Sequence, residues 1–556
     1  MKSLATMLIA LFVLFVFGPS NLLAINSFER VQEIPVPEAD LNNGGVGNII
    51  AGVDLDGDGK KEIYVVNDNW NDGPTEVIPR IYKLEYDGSE WQVVWKAVAP
   101  VEYQNTWPAL AVADLDKDGK SEIVWGPVNS FSVEKNPYRI VVYEVKGDGS
   151  DVLGVEATDS DTLSNGEKLL YKPNAAWTIT DQDEVNIRPT KFVITDVDND
   201  GVDEIIFSDR KGNNGGYYFG VVSVSDIPDN GDGSETWTLE ASGLDFGLKD
   251  LPVENKWDVA VIGNNIYLFC EVEITKIYWD GSDWNYDSLS PLLGGASFIT
   301  AQVVDLDNDG QKEIVAGEYS WGADTTRIVL LKESGDTLKH FELAHIGSSE
   351  RLIGGDCGDI DGDGYLDFVF GTRYGNPNGA IYRLRYKGGD IEDPANYELT
   401  QIDTNYAEGG IWSVIDICNI DDDPQLEVLY TSSIPAGGLF GGTQPIVVLD
   451  YVGTGITEEE GKLSHTFKLF QNYPNPFNSR TVISFSLSAR EKVELNIYDL
   501  LGNKVITLFS GYLNPGEYRF NWDARDANSR EISTGTYIYQ LRTANNVETK
   551  RMLYIK

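Results

Sequence analysis

Histidine, cysteine and methionine are nearly absent from this chain, with three of each in 556 residues. None of His340, His345 and His465 belongs to a recognisable catalytic motif, and His340 and His345 read as ordinary surface residues. The sequence has no Gly-x-Ser-x-Gly elbow, no His-Glu-x-x-His and no phosphate loop, so the common signatures of hydrolases and nucleotide-binding enzymes are missing. Cys270, Cys357 and Cys418 are an odd number, so at least one thiol stays unpaired. All three lie in strand-like runs and read as small buried apolar groups, with one bridge between Cys357 and Cys418 left open. Positive charge is also scarce: 43 Lys and Arg face 88 Asp and Glu, a net charge of −45. Such an acidic surface excludes nucleic acid as a partner, because phosphate recognition needs basic side chains. Long hydrophobic runs are absent after residue 17, so the mature chain has no transmembrane segment.

What is abundant is one acidic pattern, Asp-x-Asp-x-Asp-Gly-x-x-Glu/Asp. It occurs at Asp54/Asp56/Asp58/Glu62, Asp114/Asp116/Asp118/Glu122, Asp196/Asp198/Asp200/Glu204, Asp305/Asp307/Asp309/Glu313 and Asp359/Asp361/Asp363/Asp367. An EF-hand starts alike, but its last acid comes at position 12 and its flanks are helical. Here the last acid is at position 9, and runs such as Ile63-Tyr-Val-Val66 are β-like. Each loop therefore reads as a turn between two short buried strands. Four carboxylates around a sharp turn repel one another unless a cation joins them, and hard oxygens at alternate positions suit Ca²⁺. The expected ligands are the acids at positions 1, 3, 5 and 9 and the backbone carbonyl at position 7, on Lys60, Lys120, Val202, Gln311 and Tyr365. About five structural calcium ions are expected on this reading.

The spacing of the loops gives a repeat of about 55–60 residues. The long gap between Asp196 and Asp305 hides a copy, Trp257–Ile262 and Ile266–Phe269 around a Gly263-Asn264-Asn265 turn. A further copy, Asn419–Glu427, has Asn for the first Asp and Pro424 for the Gly, so it should bind metal weakly or not at all. A polar insertion around 147–167 explains the gap before Asp196. Seven units of four strands predict an all-β fold, a seven-bladed β-propeller. The last unit lacks a strand, and Phe28–Val36 should supply it and close the ring. The loops resemble the FG-GAP/VCBS repeats of integrin-α-type propellers over roughly residues 27–455. The resemblance implies that the ions are structural and lie on the face opposite the usual ligand face.

Both ends of the chain read as addresses. Residues 1–24 have a basic start, an apolar stretch to Phe17 and a plausible cleavage point after Ala24, as in a signal peptide. The propeller is expected at 25–455, a linker at 456–466 and a separate module at 467–556. From His465 to Lys556 the charge is +4, against −49 for the preceding residues. Alternating runs such as Val482–Leu487 and Val493–Tyr498 predict a small immunoglobulin-like β-sandwich there. Gln471–Phe477, Tyr498–Lys504, Trp522-Asp523, Gly535–Tyr539 and the basic tail Lys550–Lys556 resemble the C-terminal sorting domain of the type IX secretion system. That resemblance implies a Gram-negative bacterium, contact with the type IX machinery and an extracellular or outer-membrane-surface location. It also implies removal of the domain, or else the domain stays attached as an accessory module.

On the face opposite the acidic loops the sequence places Trp70, Arg210, Trp321, Arg351, Arg373 and Tyr374. Aromatic rings suit sugar stacking, and aromatics with Arg also suit a protein interface. Several such rings, Trp107 and Trp412 above all, could instead pack between blades. The expected activity is non-catalytic binding of an extracellular ligand, with carbohydrate slightly ahead of protein. A lyase-type polysaccharide enzyme and a structural surface-layer component stay open as alternatives.

Overall fold

The computed structural model describes residues 28–37, 46–67, 77–104, 108–127, 137–179, 187–209, 219–243, 256–270, 274–289, 297–319, 325–346 without 336, 351–372, 379–405, 414–431 without 422 and 424, 445–452, and most of 468–555. The signal sequence and its cleavage point, the linker, Trp107 and Trp412 lie outside these residues. The chain divides into two compact units, Phe28–Val452 and Gly453–Lys556 grouped with the N-terminal residues.

The larger unit is all β. Among the described residues its one helical element is the three-residue turn Pro394–Asn396. Seven four-stranded antiparallel sheets follow one another along the chain. Their first strands are Val46–Val53, Ala109–Ala113, Pro189–Thr195, Lys256–Ile262, Phe298–Val304, Leu352–Gly358 and Ile415–Cys418. Each first strand packs against the next, and Ile415–Cys418 packs against Val46–Val53, so the sheets form a closed ring of blades.

The sequence pattern explains this arrangement. Second strands such as Glu62–Asn67, Glu204–Asp209 and Glu313–Glu318 are buried at every residue, because each sheet is covered on both faces by its neighbours. The apolar clusters accordingly join adjacent blades. One unites Val124, Ile140 and Trp177 of the second blade with Phe192, Phe207 and Val222 of the third. Another unites Leu429 and Val448 of the last with Ile49, Ile63 and Tyr82 of the first. The 147–167 insertion lies between the third and fourth strands of the second blade, where Val155–Glu156 pairs with Tyr171–Lys172. In the fourth blade the turn is two residues, Gly263-Asn264, with Asn265 already paired to Ile262.

Hydrogen bonds also tie the first strands together across blades. Asp258 accepts the Ala301 N–H at 2.7 Å, Thr300 accepts that of Gly355 at 2.8 Å, Asp356 that of Ile417 at 2.8 Å, and Asp416 that of Ala51 at 2.6 Å. Gly355 is required there, since a Cβ would come within 2.6 Å of the Thr300 hydroxyl. Burial pushes the Asp258, Asp356 and Asp416 carboxyls up from the usual range, and the Asp356 charge adds to the effect on Asp416.

The ring closes as the sequence leads one to expect. Phe28–Ile34 pairs antiparallel with Ile446–Tyr451 and completes the seventh sheet. Arg30 locks it in place, its Nε donating to Asp403 at 2.7 Å, while the Tyr430 hydroxyl donates to the same carboxylate at 2.8 Å.

None of the three cysteines is in a disulfide, and burial raises Cys357 to about 12. His340 and His345 are exposed on the strand Thr337–Ile346.

In the smaller unit, Lys468–Leu469, Thr481–Leu487 and Gly516–Trp522 form one sheet, and Glu491–Tyr498, Lys504–Leu513, Gly535–Arg542 and Val547–Tyr554 form a second. Ile483 and Phe485 of the first share a core with Leu495, Ile497, Tyr539 and Leu541 of the second, so the two sheets face each other. The motif residues of this unit are packing residues. Phe477 and Trp522 sit in that core, and the Tyr539 hydroxyl donates to the Phe470 carbonyl at 2.8 Å while accepting the Asn472 N–H at 2.8 Å.

Candidate metal centres

Each acidic loop joins the first and second strands of its blade and is shaped by its own carboxylates. The Asp at position 1 accepts the N–H of the position-6 glycine in all five loops, at 3.0 Å for Gly59, 3.1 Å for Gly119, 3.0 Å for Gly201, 3.0 Å for Gly310 and 2.9 Å for Gly364. The acceptors are Asp54, Asp114, Asp196, Asp305 and Asp359. The Asp at position 5 accepts the N–H at position 7. Asp58, Asp200 and Asp309 do so at 2.8 Å from Lys60, Val202 and Gln311, and Asp363 at 2.9 Å from Tyr365. The glycine is needed because φ there is positive, from 87° at Gly364 to 96° at Gly201. Position 4 is left-handed too, at Gly57, Lys117, Asn199, Asn308 and Gly362. The sequence shows this second constraint only as a bias toward Gly and Asn.

The ninth residue is the buried wall of each site. One oxygen of Glu62, Glu122, Glu204 and Glu313 accepts the N–H at position 2, for instance Leu115 at 2.6 Å and Val197 at 2.8 Å. Glu122 and Glu204 are fully buried. Their second oxygen, Oε1, has no hydrogen-bond partner. In these two loops one oxygen from each of the four acids converges within 4.8 Å. Burial pushes both Glu122 and Glu204 up to about 8, with neighbouring carboxylates adding to it. A buried, orphaned carboxylate oxygen aimed at three other carboxylates is what an oxygen-seeking dication requires. The second and third loops therefore fit Ca²⁺ well: Asp114, Asp116, Asp118, Glu122 and the Lys120 carbonyl in one, Asp196, Asp198, Asp200, Glu204 and the Val202 carbonyl in the other.

The five loops are not the equal sites that their shared spacing leads one to expect. Lys83, on the strand Arg80–Tyr86 and fully buried, reaches the first loop. Its Nζ lies 2.5 Å from Asp56, 2.7 Å from Glu62, 2.7 Å from Glu85 and 2.8 Å from Asp151. Burial opposes the Lys83 charge, but these four carboxylates outweigh it and hold the ammonium above its usual range.

In the fourth loop the backbone bonds of the third recur. The Asp309 N–H lies 3.0 Å from the Asp305 carboxylate and 3.3 Å from that of Asp307, as the Asp200 N–H lies 3.1 Å from both Asp196 and Asp198. Two neighbours make this loop different. The Gln311 side-chain amide donates to Asp309 at 3.1 Å, and Lys332 stands 3.6 Å from Glu313 on a partly exposed side chain. The set Asp305, Asp307, Asp309 and Glu313 thus has a cation at its edge rather than in its interior.

The fifth loop departs further from the expected ligand set, because arginines hold three of its four acids. Arg383 donates from Nε to Asp367 at 2.7 Å and from its NH2 nitrogen to Asp361 at 2.6 Å and Asp367 at 2.6 Å. Arg385 pairs with Asp363 and lies 3.3 Å from Asp361. Burial lifts Asp367 to about 6 in spite of the Arg383 charge. Asp359 alone keeps only its backbone bonds, to the N–H groups of Asp363 and Gly364. The altered Asn419–Glu427 loop keeps the Ile420 N–H to Glu427 bond at 2.8 Å, and burial raises Glu427 to about 7. The sequence signal for the buried cations was a basic residue set between apolar ones in a strand, Ile81-Tyr82-Lys83-Leu84 and Ile381-Tyr382-Arg383-Leu384.

Of the residues expected on the ligand face, Trp70, Arg210, Trp321, Arg373 and Tyr374 lie outside the described residues. Arg351 is 8% exposed, and its guanidinium lies over the Tyr319 ring, 5.4 Å from the centroid. That contact ties the start of the sixth blade to the fifth.

The family described as FG-GAP-like repeat matches residues 54–125 and 305–370, stretches that hold four of the five acidic loops. The chain carries FG-GAP-like repeats. The family described as Secretion system C-terminal sorting domain matches residues 471–556. That sorting domain makes this an extracellular or cell-surface protein of a Gram-negative bacterium, exported by way of the type IX machinery. No curated protein matches the chain. Among solved structures it is similar to PorZ, a surface component of the type IX secretion system of Porphyromonas gingivalis, with 13% identity and a TM-score of 0.36 over 89% of this chain and 58% of that one. It is also similar to the NanB sialidase of Streptococcus pneumoniae, with 12% identity and a TM-score of 0.35 over 76% of this chain and 70% of that one. A fungal alcohol oxidase in complex with copper gives 11% identity and a TM-score of 0.44 over 96% and 100%. The chain thus spans just over half the length of PorZ. Likenesses this distant leave the activity to the site itself.

Proposed function

We propose that this FG-GAP-repeat protein is an exported, calcium-stabilised propeller that binds an extracellular ligand without chemistry, carbohydrate ahead of protein. The observation that carries the calcium reading is the orphaned Oε1 of the fully buried Glu122 and Glu204, each set among three loop aspartates. An ion held there would neutralise charge and crosslink the turn between the first and second strands of a blade. It would thereby stiffen the scaffold rather than touch the ligand. Affinity of each site is expected on the order of 10⁻⁴–10⁻³ M, as for other extracellular modules. Ligand contact is assigned to the opposite face, through the residues the sequence offers there, Trp70, Arg210, Trp321, Arg351, Arg373 and Tyr374. Aromatic faces would stack on sugar rings while guanidinium groups bond their hydroxyls.

The test is binding of the mature protein to a broad glycan and polysaccharide array in millimolar calcium. Saturable binding is expected, weakened about tenfold or more by Trp70→Ala, Trp321→Ala or Arg373→Ala, as for central hot-spot residues. Absence of binding by folded protein would remove the carbohydrate reading, and release of shortened saccharides from a bound polysaccharide would replace it with an enzyme.

A further inference from the structure

We propose that Lys83 and Arg383 stand in for the divalent cation in the first and fifth acidic loops, so that these two loops are closed by the protein's own charge and bind no calcium. This rests on the calcium reading above and narrows it to particular loops.

Three observations converge. The first is register. In the second strand of each blade, the residue two beyond the ninth acid pairs with one residue of the third strand. That partner is Lys83 opposite Tyr64 in the first blade and Arg383 opposite Val369 in the sixth. In the second, third and fifth blades the same place holds Val142, Val221 and Leu330. Among these five blades a cation occupies this position only where it reaches the acids of the loop, while the fourth blade, which has no acidic loop, carries Lys276 there.

The second is the choice of partners. Lys83 reaches Asp56 and Glu62, and Arg383 reaches Asp361 and Asp367, which are positions 3 and 9 in both loops. These are two of the oxygens a metal ion would need. In the fifth loop Arg385 takes a third, on Asp363. In the second and third loops the matching acids, Asp116 with Glu122 and Asp198 with Glu204, have no Lys or Arg in ion-pair contact among the described residues, and the second loop's one such contact is Lys120 on Asp118 at position 5. A dication and a buried ammonium cannot share the same lone pairs, and like charges a few ångströms apart repel. Lys83 cannot withdraw either, because it is fully buried in the middle of a blade.

The third is a compensating sequence change. The fifth loop is the one whose ninth acid is Asp rather than Glu. The loss of a methylene draws the carboxylate back and makes room for the guanidinium, which then pairs with both oxygens of Asp367 in a forked geometry. The altered loop at Asn419 follows the same logic with a neutral donor. Its Nδ2 donates to the Asp423 carbonyl at 2.6 Å and lies 3.3 Å from the Gln425 carbonyl, the position-7 oxygen. A cation of the chain itself thus fills the interior of the first and fifth loops.

The experiment is a count of bound calcium on the mature protein, by equilibrium dialysis after chelation and re-addition, supported by loop-specific variants. The wild-type protein is expected to bind no more than about three ions. Asp116→Asn and Asp198→Asn are each expected to lose one, and Asp56→Asn none. Lys83→Met and the double variant Arg383→Met with Arg385→Met, prepared in calcium and checked for fold by circular dichroism, are each expected to gain one. If either of them fails to fold, the wild-type count and Asp56→Asn decide alone. One ion per acidic loop in the wild type, or loss of an ion in Asp56→Asn, overturns the inference and leaves the calcium reading standing. No bound ion at all overturns both.

Discussion

Replacing Glu122 by Gln is expected to stabilise the protein in EDTA and to lose most of that advantage in calcium. Without an ion, Glu122 is a buried carboxylate beside Asp114 and Asp116, and its pKa stands at about 8 rather than the usual 4.5. An acid whose folded pKa lies above its unfolded value holds its proton more tightly when folded. Its unfavourable contribution is absent below pH 4.5, grows as the unfolded form ionises, and is complete above about pH 8. Stability in EDTA should therefore fall as pH rises through that window, and Glu204 should add a second such contribution. Each pKa unit corresponds to about 1.4 kcal/mol. With allowance for loop relaxation and water entry, Glu122→Gln should gain about 2 kcal/mol at pH 8 in EDTA. The Gln carbonyl can still accept the Leu115 N–H, and its amide can donate to the loop aspartates. In calcium most of this gain should vanish, because the variant removes one charged ligand and weakens an ion worth about as much to the wild type. Denaturant titrations at pH 6 and pH 8, with and without calcium, measure all four states. A variant less stable than wild type in every condition would show that Glu122 is only a packing and hydrogen-bonding residue.

Removing residues 28–36 is expected to be the most damaging truncation of the larger unit. The segment buries Phe28, Ile34 and Val36 almost completely. At roughly 1.5–3 kcal/mol per buried side chain, their loss alone costs on the order of 5 kcal/mol. Arg30 would no longer hold Asp403 and Tyr430. The strand Ile446–Tyr451 would become an unpaired edge, open to pairing with another molecule. Size-exclusion chromatography and thermal melting should show association and a much lower melting temperature. A monomer that melts like the full chain would contradict closure of the ring by this strand.

This strand could be foreseen because the sequence fails locally. After Ile446–Tyr451 comes a polar stretch with no fourth strand, and the missing element has to come from the other end. The acidic loops were equally legible, since their carboxylate spacing, their position-6 glycine and their β-like flanks all lie within one short stretch. What sequence could not show is chemistry set by pairing between distant strands. Lys83 meets the first loop through the β register and Asp151 from the insertion of the second blade, so neither is visible in the loop's own sequence. Arg383 and Arg385 reach Asp361, Asp363 and Asp367 in the same way, so a spacing shared with the other loops hides a different interior. The same holds for Asp258, Asp356 and Asp416, which bond the backbone of the next blade although the sequence offers them as three more acids in an acidic chain. In the C-terminal unit the motif residues carry an address in sequence, yet in the structure Phe477, Trp522 and Tyr539 hold the sandwich together. A motif can therefore be recognised before the packing that explains it is known.

The ligand face was read from residue types alone, so its assignment stands on chemistry. The calcium reading is different, because it rests on buried oxygens whose geometry is visible at Glu122 and Glu204. It is tested most directly by the melting temperature of the mature protein at pH 7.5, after chelation and again in about 10 mM calcium. Sites of the expected affinity contribute about 1.5–2.5 kcal/mol each at that concentration, so the melting temperature should rise by about 5 °C or more. Magnesium at the same concentration should give a smaller rise, because it needs a tighter octahedral shell. A melting temperature unchanged by calcium would contradict the account at its centre.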